Sequence, residues 1–179
     1  MLALGWQRPH LPFVAPQKYW DLYDREKIDL SRIQEVAEGT PQIAYHTFGE
    51  IRSYTDFPKD AKLGNAIPEA KQRELIHGYM ACVSYVDALL GQVLDELEAS
   101  GQIETTNIVL WGDHGFHLGD HTLWCKHSNF EQATRIPFMF AGPGVAKGKQ
   151  VATPVNLVDA FPTLFDLAGV KPSAQAEGK

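Results

Sequence analysis

The sequence predicts an α/β domain, and three stretches carry that prediction. A long amphipathic segment covers 69–99, an apolar run follows at 107–112, and a second apolar run lies at 137–141. In the first, Ile76, Tyr79, Val83, Val86, Leu90, Val93 and Leu97 recur at spacings of three and four. That repeat is one face of an amphipathic helix, and Ser100-Gly101 supplies its stop. The run Asn107-Ile108-Val109-Leu110-Trp111-Gly112 is β-branched and aliphatic, with a Thr-Thr-Asn entry and a glycine exit. It reads as a buried strand. Pro137-Phe138-Met139-Phe140-Ala141, closed by Gly142-Pro143-Gly144, reads as another.

The flanking segments are less regular. Prolines at 9, 12 and 16 bias their predecessors towards extended backbone, so residues 1–24 open as an ordered loop with a short helix over Lys18–Tyr23. Residues 25–68 show no period and read as a long irregular connection with at most short helices. Such a connection is uncommon unless it serves or covers a site. Val151–Val155 reads as an edge strand limited by Pro154. Val158, Phe161, Leu164, Phe165 and Ala168 mark a helix stopped at Gly169, with Pro162 in its first turns. The organisation expected is one domain over 1–170 and a disordered tail over 171–179.

Composition narrows the function classes. With 44% hydrophobic and 21% charged residues the chain is an ordinary globular one. A net charge of −6 with no basic run argues against a nucleic-acid partner. No apolar stretch approaches the about 20 residues that span a bilayer, and the first residues lack the pattern of a signal peptide. The two cysteines do not make a disulfide scaffold. Cys82 reads as a buried small hydrophobe on the helix. Cys125 lies near the functional groups, as a packed or solvent-touched bystander in preference to a reactive thiol.

The strand at 107–112 ends in Asp113-His114-Gly115. A carboxylate and an imidazole can both ligate a divalent cation, and Gly115 would allow the backbone to turn them together. Taken alone, an Asp making a local turn beside an exposed His is the favoured reading of that dipeptide. The following segment raises the odds of chemistry. His117, Asp120, His121, Lys126 and His127 crowd together, interleaved with Phe116, Trp124 and Phe130. Lys126 can stabilise an anionic oxygen with three donors, or can be a surface lysine. His10, between Pro9 and Pro12, suits a positioned general acid or cation. By itself it is better explained by stacking on nearby aromatics.

These residues together resemble a known family. Val109 to His121, followed by Trp124-Cys125-Lys126-His127-Ser128-Asn129-Phe130 and Arg135-Ile136-Pro137, is similar to the second half of a type I sulfatase of the iduronate-2-sulfatase-like subgroup. Three further segments agree in order: Gly5–Tyr23, Tyr79–Asp87 and Leu157–Leu164. The resemblance implies a partial alkaline-phosphatase/sulfatase-like α/β sheet with flanking helices. It implies hydrolysis of sulfate esters, of carbohydrates above all, by a formylglycine nucleophile at a divalent cation. Calcium is the usual cation, with manganese or zinc open because His114 offers nitrogen. By carry-over, Asp113 and His114 would bind the metal, Lys126 would contact the sulfate, and His10 would assist at the sulfate or leaving-group oxygen. Full-length relatives of this family are often exported or lysosomal.

The departures are as informative as the matches. Neither Cys82 nor Cys125 stands in Cys-x-Pro-Ser-Arg, from which the formylglycine is made, and the family's paired N-terminal aspartates have no counterpart. The chain therefore reads as the C-terminal portion of a sulfatase, inactive alone. It would need the missing half, or self-association, to cover an exposed sheet. Two alternatives stay open: a phosphoester or phosphonate hydrolase of the same superfamily, and a non-catalytic remnant or interaction module.

Overall fold

The computed structural model describes every residue except 46, 47, 173 and 179. In chain order the elements are α1 (Gln17–Trp20), α2 (Glu69–Ala99), β1 (Ile108–Trp111), β2 (His117–Leu118), β3 (Trp124–Cys125), α3 (Glu131–Thr134), β4 (Phe138–Ala141) and α4 (Ala160–Leu167). Helices are mixed with two small two-stranded sheets, as in a partial α/β fold. Two compact units are present: Met1–Gln92 with Asp113–Ile136, and Val93–Gly112 with Pro137–Lys179.

The first unit holds the larger core, and most of it comes from the segment that lacks any period. Ile28, Tyr45, Phe48, Ile51, Phe57, Ala61 and Ile67 are buried with Leu75 and Ile76 of α2 and with Leu123, Trp124 and Cys125. The expectation of an irregular connection at 25–68 holds for its secondary structure, which among the described residues is limited to single 3-10 turns at Arg25–Lys27, Gln42–Ala44 and Ile51–Ser53. Its apolar residues are spaced by turns instead of by a helix or strand repeat, so a periodicity scan sees nothing.

α2 forms over the predicted residues, but its buried face differs in detail. Gln72, Leu75, Ile76, His77, Gly78, Ala81 and Cys82 are buried, whereas Val83 is exposed. The N-terminal half is enclosed on more than one side because the proline-rich loop packs on it. A Cβ on Gly78 would lie 2.8 Å from Phe13 Cβ, so only a glycine admits that approach. His77 donates Nε2–H to the Trp20 carbonyl at 2.8 Å and accepts from Arg25 Nε at 3.2 Å. The loop bearing His10 is thereby tied to the helix. After Ala99 the chain leaves α2 through Gly101 N–H to Glu98 and Gln102 N–H to Leu97 carbonyl bonds, a Schellman ending.

In the second unit β1 and β4 pair antiparallel, with Ile108 opposite Ala141 and Trp111 opposite Phe138. α4 follows, closing on Gly169 and Val170 in the same Schellman pattern. The Asn107 amide donates to the Leu167 carbonyl at 3.1 Å and joins helix to strand. The edge strand expected at Val151–Val155 does not form: these residues are exposed and in no ladder. Pro154 has no N–H to give such a ladder.

The segment 113–136 returns to the first unit and is held by backbone contacts at both ends. Gly115 N–H donates to the Ala133 carbonyl at 2.7 Å. The sequence-based reason for this glycine, a turn needing unusual φ, is not the operative one, for Gly115 lies outside the left-handed region. The constraint is space: a Cβ there would sit 2.1 Å from the Gln132 carbonyl oxygen and 2.9 Å from that of Arg135. Gly115→Ala is therefore expected to destabilise the chain by about 2–4 kcal/mol, the range of severe steric or backbone lesions. The shift in the midpoint of urea unfolding at unchanged slope checks this; a midpoint within error of wild type would contradict it.

Candidate active site

Two pairs of predicted residues come together. The first is Asp113 with His114. His114 Nδ1 faces the Gly115 carbonyl at 2.8 Å. A carbonyl only accepts, so Nδ1 carries the proton and Nε2 presents its lone pair outward. That is the arrangement a metal-ligating histidine uses. His114 Nε2 stands 3.5 Å from Asp113 Oδ2, while Asp113 Oδ1 accepts the His114 backbone N–H at 3.1 Å. One nitrogen and one free carboxylate oxygen thus converge, and the Asp113 side chain is 86% exposed. These donors fit part of a divalent cation's coordination sphere. Among the described residues, no group of three or more His, Cys, Asp or Glu side chains is placed to hold a metal.

The second pair is His10 with Lys126, separated by more than a hundred residues in sequence and by 3.4 Å between Nε2 and Nζ. His10 lies between two cis prolyl bonds, Arg8-Pro9 and Leu11-Pro12. Its backbone is fixed by N–H donation to the Gln7 carbonyl at 2.9 Å, and by Arg8 Nη1 donating to its carbonyl at 3.2 Å. The ring donates Nδ1–H to the Leu11 carbonyl at 2.7 Å, which leaves Nε2 facing the site. Lys126 follows directly on fully buried Leu123, Trp124 and Cys125, so its side chain starts from a fixed base. Among the described residues no hydrogen bond or ion pair joins this pair to Asp113 and His114.

Between His10 and Lys126 stands a residue that no motif marks: Glu50. Its Oε1 pairs with Lys126 Nζ and lies 3.2 Å from His10 Nε2, and its Oε2 is 3.6 Å from His127 Nδ1. Glu50 opens the Ile51–Ser53 turn, where Ile51 is 2% exposed and anchors it in the core. Burial works against ionisation of Glu50, yet Lys126 above all, then Cys125 and His127, hold its carboxyl below the ordinary value. Nothing in the local pattern Phe48-Gly49-Glu50-Ile51 distinguishes this acid from the other carboxylates of 25–68. Its role is set by where the turn delivers it.

The remaining crowded residues brace the loop. Asp120 accepts from Ser31 Oγ at 2.9 Å, His121 N–H donates to Ile33 at 2.8 Å, and Thr122 Oγ1 accepts the Gly64 N–H at 2.9 Å. His117 is fully buried with Nε2 at 2.8 Å from Ser128 Oγ. His121, Thr122 and Cys125 all adopt positive φ. Such backbone is unfavourable for L-residues, most of all for β-branched Thr122, and is held here by those bonds and by burial. Cys125 is packed, not reactive. Burial first, then the neighbouring Glu50 carboxylate, push its thiol up to about 12.

The comparisons with known proteins decide the family. The sequence model of the family described as Sulfatase matches residues 1–170. The chain belongs to the sulfatase family. It is 40% identical over 179 residues to a sulfatase of Formosa agariphila, covering 99% of this chain and 34% of that protein. It is 34% identical to the human iduronate 2-sulfatase over 198 residues, covering 95% and 36% respectively. Among solved structures, the phosphonate monoester hydrolase of Silicibacter pomeroyi superposes with a TM-score of 0.76 at 28% identity, over 96% of this chain and 34% of that one. The chain thus spans about a third of the length of the curated relatives it matches.

Two measurements follow from the site. The Glu50 carboxyl is lowered on folding, so its contribution to stability is fully present above its ordinary value of 4.5 and is lost as pH falls through the lowered one. Glu50→Gln should flatten the fall of Tm between roughly pH 5 and pH 3; an unchanged acid limb would contradict the pairing. Cys125 should resist alkylation by iodoacetamide in the folded chain at roughly pH 8 and react on unfolding, as mass spectrometry of the modified peptides can show.

Proposed function

We propose that this chain supplies the oxyanion-binding and half of the metal-binding machinery of a sulfate-ester hydrolase. The observation that carries the reading is the convergence of His10 Nε2 and Lys126 Nζ at 3.4 Å within a sulfatase-family chain. Lys126, an ammonium with three N–H donors of which one is taken by Glu50, can turn a remaining donor to an equatorial oxygen of a sulfuryl group. His10 in its imidazolium form offers Nε2–H to the leaving oxygen, a general-acid role consistent with its fixed ring. Asp113 Oδ2 and His114 Nε2 would ligate the divalent cation, with calcium the first candidate and carboxylates outside these residues completing the sphere. When bound, such a cation withdraws charge from the reacting oxygens as a Lewis acid. The nucleophile would come from sequence outside these 179 residues. Sulfated carbohydrate is the substrate class proposed, by likeness to the iduronate 2-sulfatase.

A second reading is favoured by one observation, the likeness to the phosphonate monoester hydrolase over nearly the whole chain. Lys126 and His10 serve either ester, since tetrahedral phosphorus and sulfur present similar oxygens.

Both readings meet in one experiment. Residues 1–170 replace the matching region of the Formosa agariphila sulfatase, and the chimera is assayed with 4-nitrophenyl sulfate and with a phenylphosphonate monoester. Turnover of the sulfate ester is expected. Lys126→Ala in the chimera should lower kcat/KM by about a hundredfold or more, as removal of an oxyanion donor does. A folded, active chimera indifferent to Lys126→Ala and His10→Ala would sink the assignment; preference for the phosphonate would favour the second reading.

A further inference from the structure

We infer that Glu50 sets the charge class of ester this site accepts, favouring monoanionic esters over dianionic phosphate monoesters. The inference rests on the reading of Lys126 and His10 as the oxyanion seat. Glu50 is placed inside that seat: its Oε1 faces both of its groups, pairing with Lys126 Nζ and lying 3.2 Å from His10 Nε2. The acid side chain is 19% exposed, and that of Lys126 15%. Solvent therefore screens the pair only partly.

An ammonium has three donors, so Lys126 can hold Glu50 and an ester oxygen at once. An oxygen bound to Lys126 Nζ then sits within a few ångströms of the carboxylate, and like charges at that spacing repel. A sulfate monoester carries one negative charge. A phosphate monoester carries close to two above its second pKa, near about 6. The additional charge meets a seat whose fixed cation is already balanced by Glu50. The surrounding groups do not reverse this. His127 faces Oε2 at 3.6 Å, the Cys125 thiol is neutral, and the Arg8 guanidinium is engaged by the carbonyls of Val14 and His10.

Phenyl sulfate and phenyl phosphate, which match in shape and differ by one charge at roughly pH 8, test the inference on the chain itself. Each is titrated into isotope-labelled protein, and dissociation constants are read from the NMR signals of His10 and Lys126. Wild type should bind the sulfate tighter by about tenfold or more. Glu50→Gln should erase that ratio by strengthening the phosphate, whereas Glu50→Asp, which keeps the charge, should retain most of it. Wild type also gives a check without substitution: at roughly pH 5 the phosphate ester becomes a monoanion and the ratio should shrink. A ratio that persists in folded Glu50→Gln, or that is absent from wild type, overturns the inference while leaving the oxyanion seat standing. If neither ester moves these signals, or Lys126→Ala changes neither constant, the seat itself fails and the inference with it.

Discussion

The burial of Leu123, Trp124 and Cys125 against the irregular 25–68 segment is the constraint on which the first unit depends. These consecutive residues are at most 2% exposed, although the strand formed by the last two of them, Trp124 and Cys125, is all the regular structure they have. A two-stranded ribbon of this size has no stability of its own. It persists because its side chains enter a core shared with Phe48, Ile51 and Phe57. Lys126 is the next residue out of that core, and Glu50 is the residue before Ile51. The same packing thus fixes both partners of the central ion pair.

How far the sequence reveals this varies by segment. α2, β1, β4 and α4 follow from period and punctuation, but β1 and β4 are not the buried strands expected: none of their residues is buried, and Trp111 and Met139 are exposed. The Asp113-His114 and His10/Lys126 pairs are legible through motif resemblance, and geometry then adds which ring nitrogen is turned outward. Glu50 is not legible. A carboxylate in an aperiodic loop acquires meaning only when long-range folding brings it to residues dozens of positions away. Val151–Val155 failed for a simpler reason: apolar alternation there has no partner ladder, and proline removes a donor. Gly115, expected only to allow a turn, is instead required by the space beside the Gln132 and Arg135 carbonyls.

The 113–136 segment also shows how a loop can be specified without regular structure. Ser31, Ile33 and Gly64 bond to Asp120, His121 and Thr122, satisfying polar groups that would otherwise be stranded. The unfavourable φ angles of His121, Thr122 and Cys125 are the local cost of this tracing. The irregular 25–68 segment is therefore the scaffold of the loop that presents Lys126.

The fixed Nδ1–H to Leu11 bond of His10 has a consequence for proton movement. Its outer nitrogen faces a donor, Lys126, and an acceptor, Glu50, at nearly equal range. Neutral imidazole takes the first as partner and imidazolium takes the second. Either form keeps its Nδ1–H bond to Leu11, so the ring holds one orientation whichever partner its outer nitrogen takes.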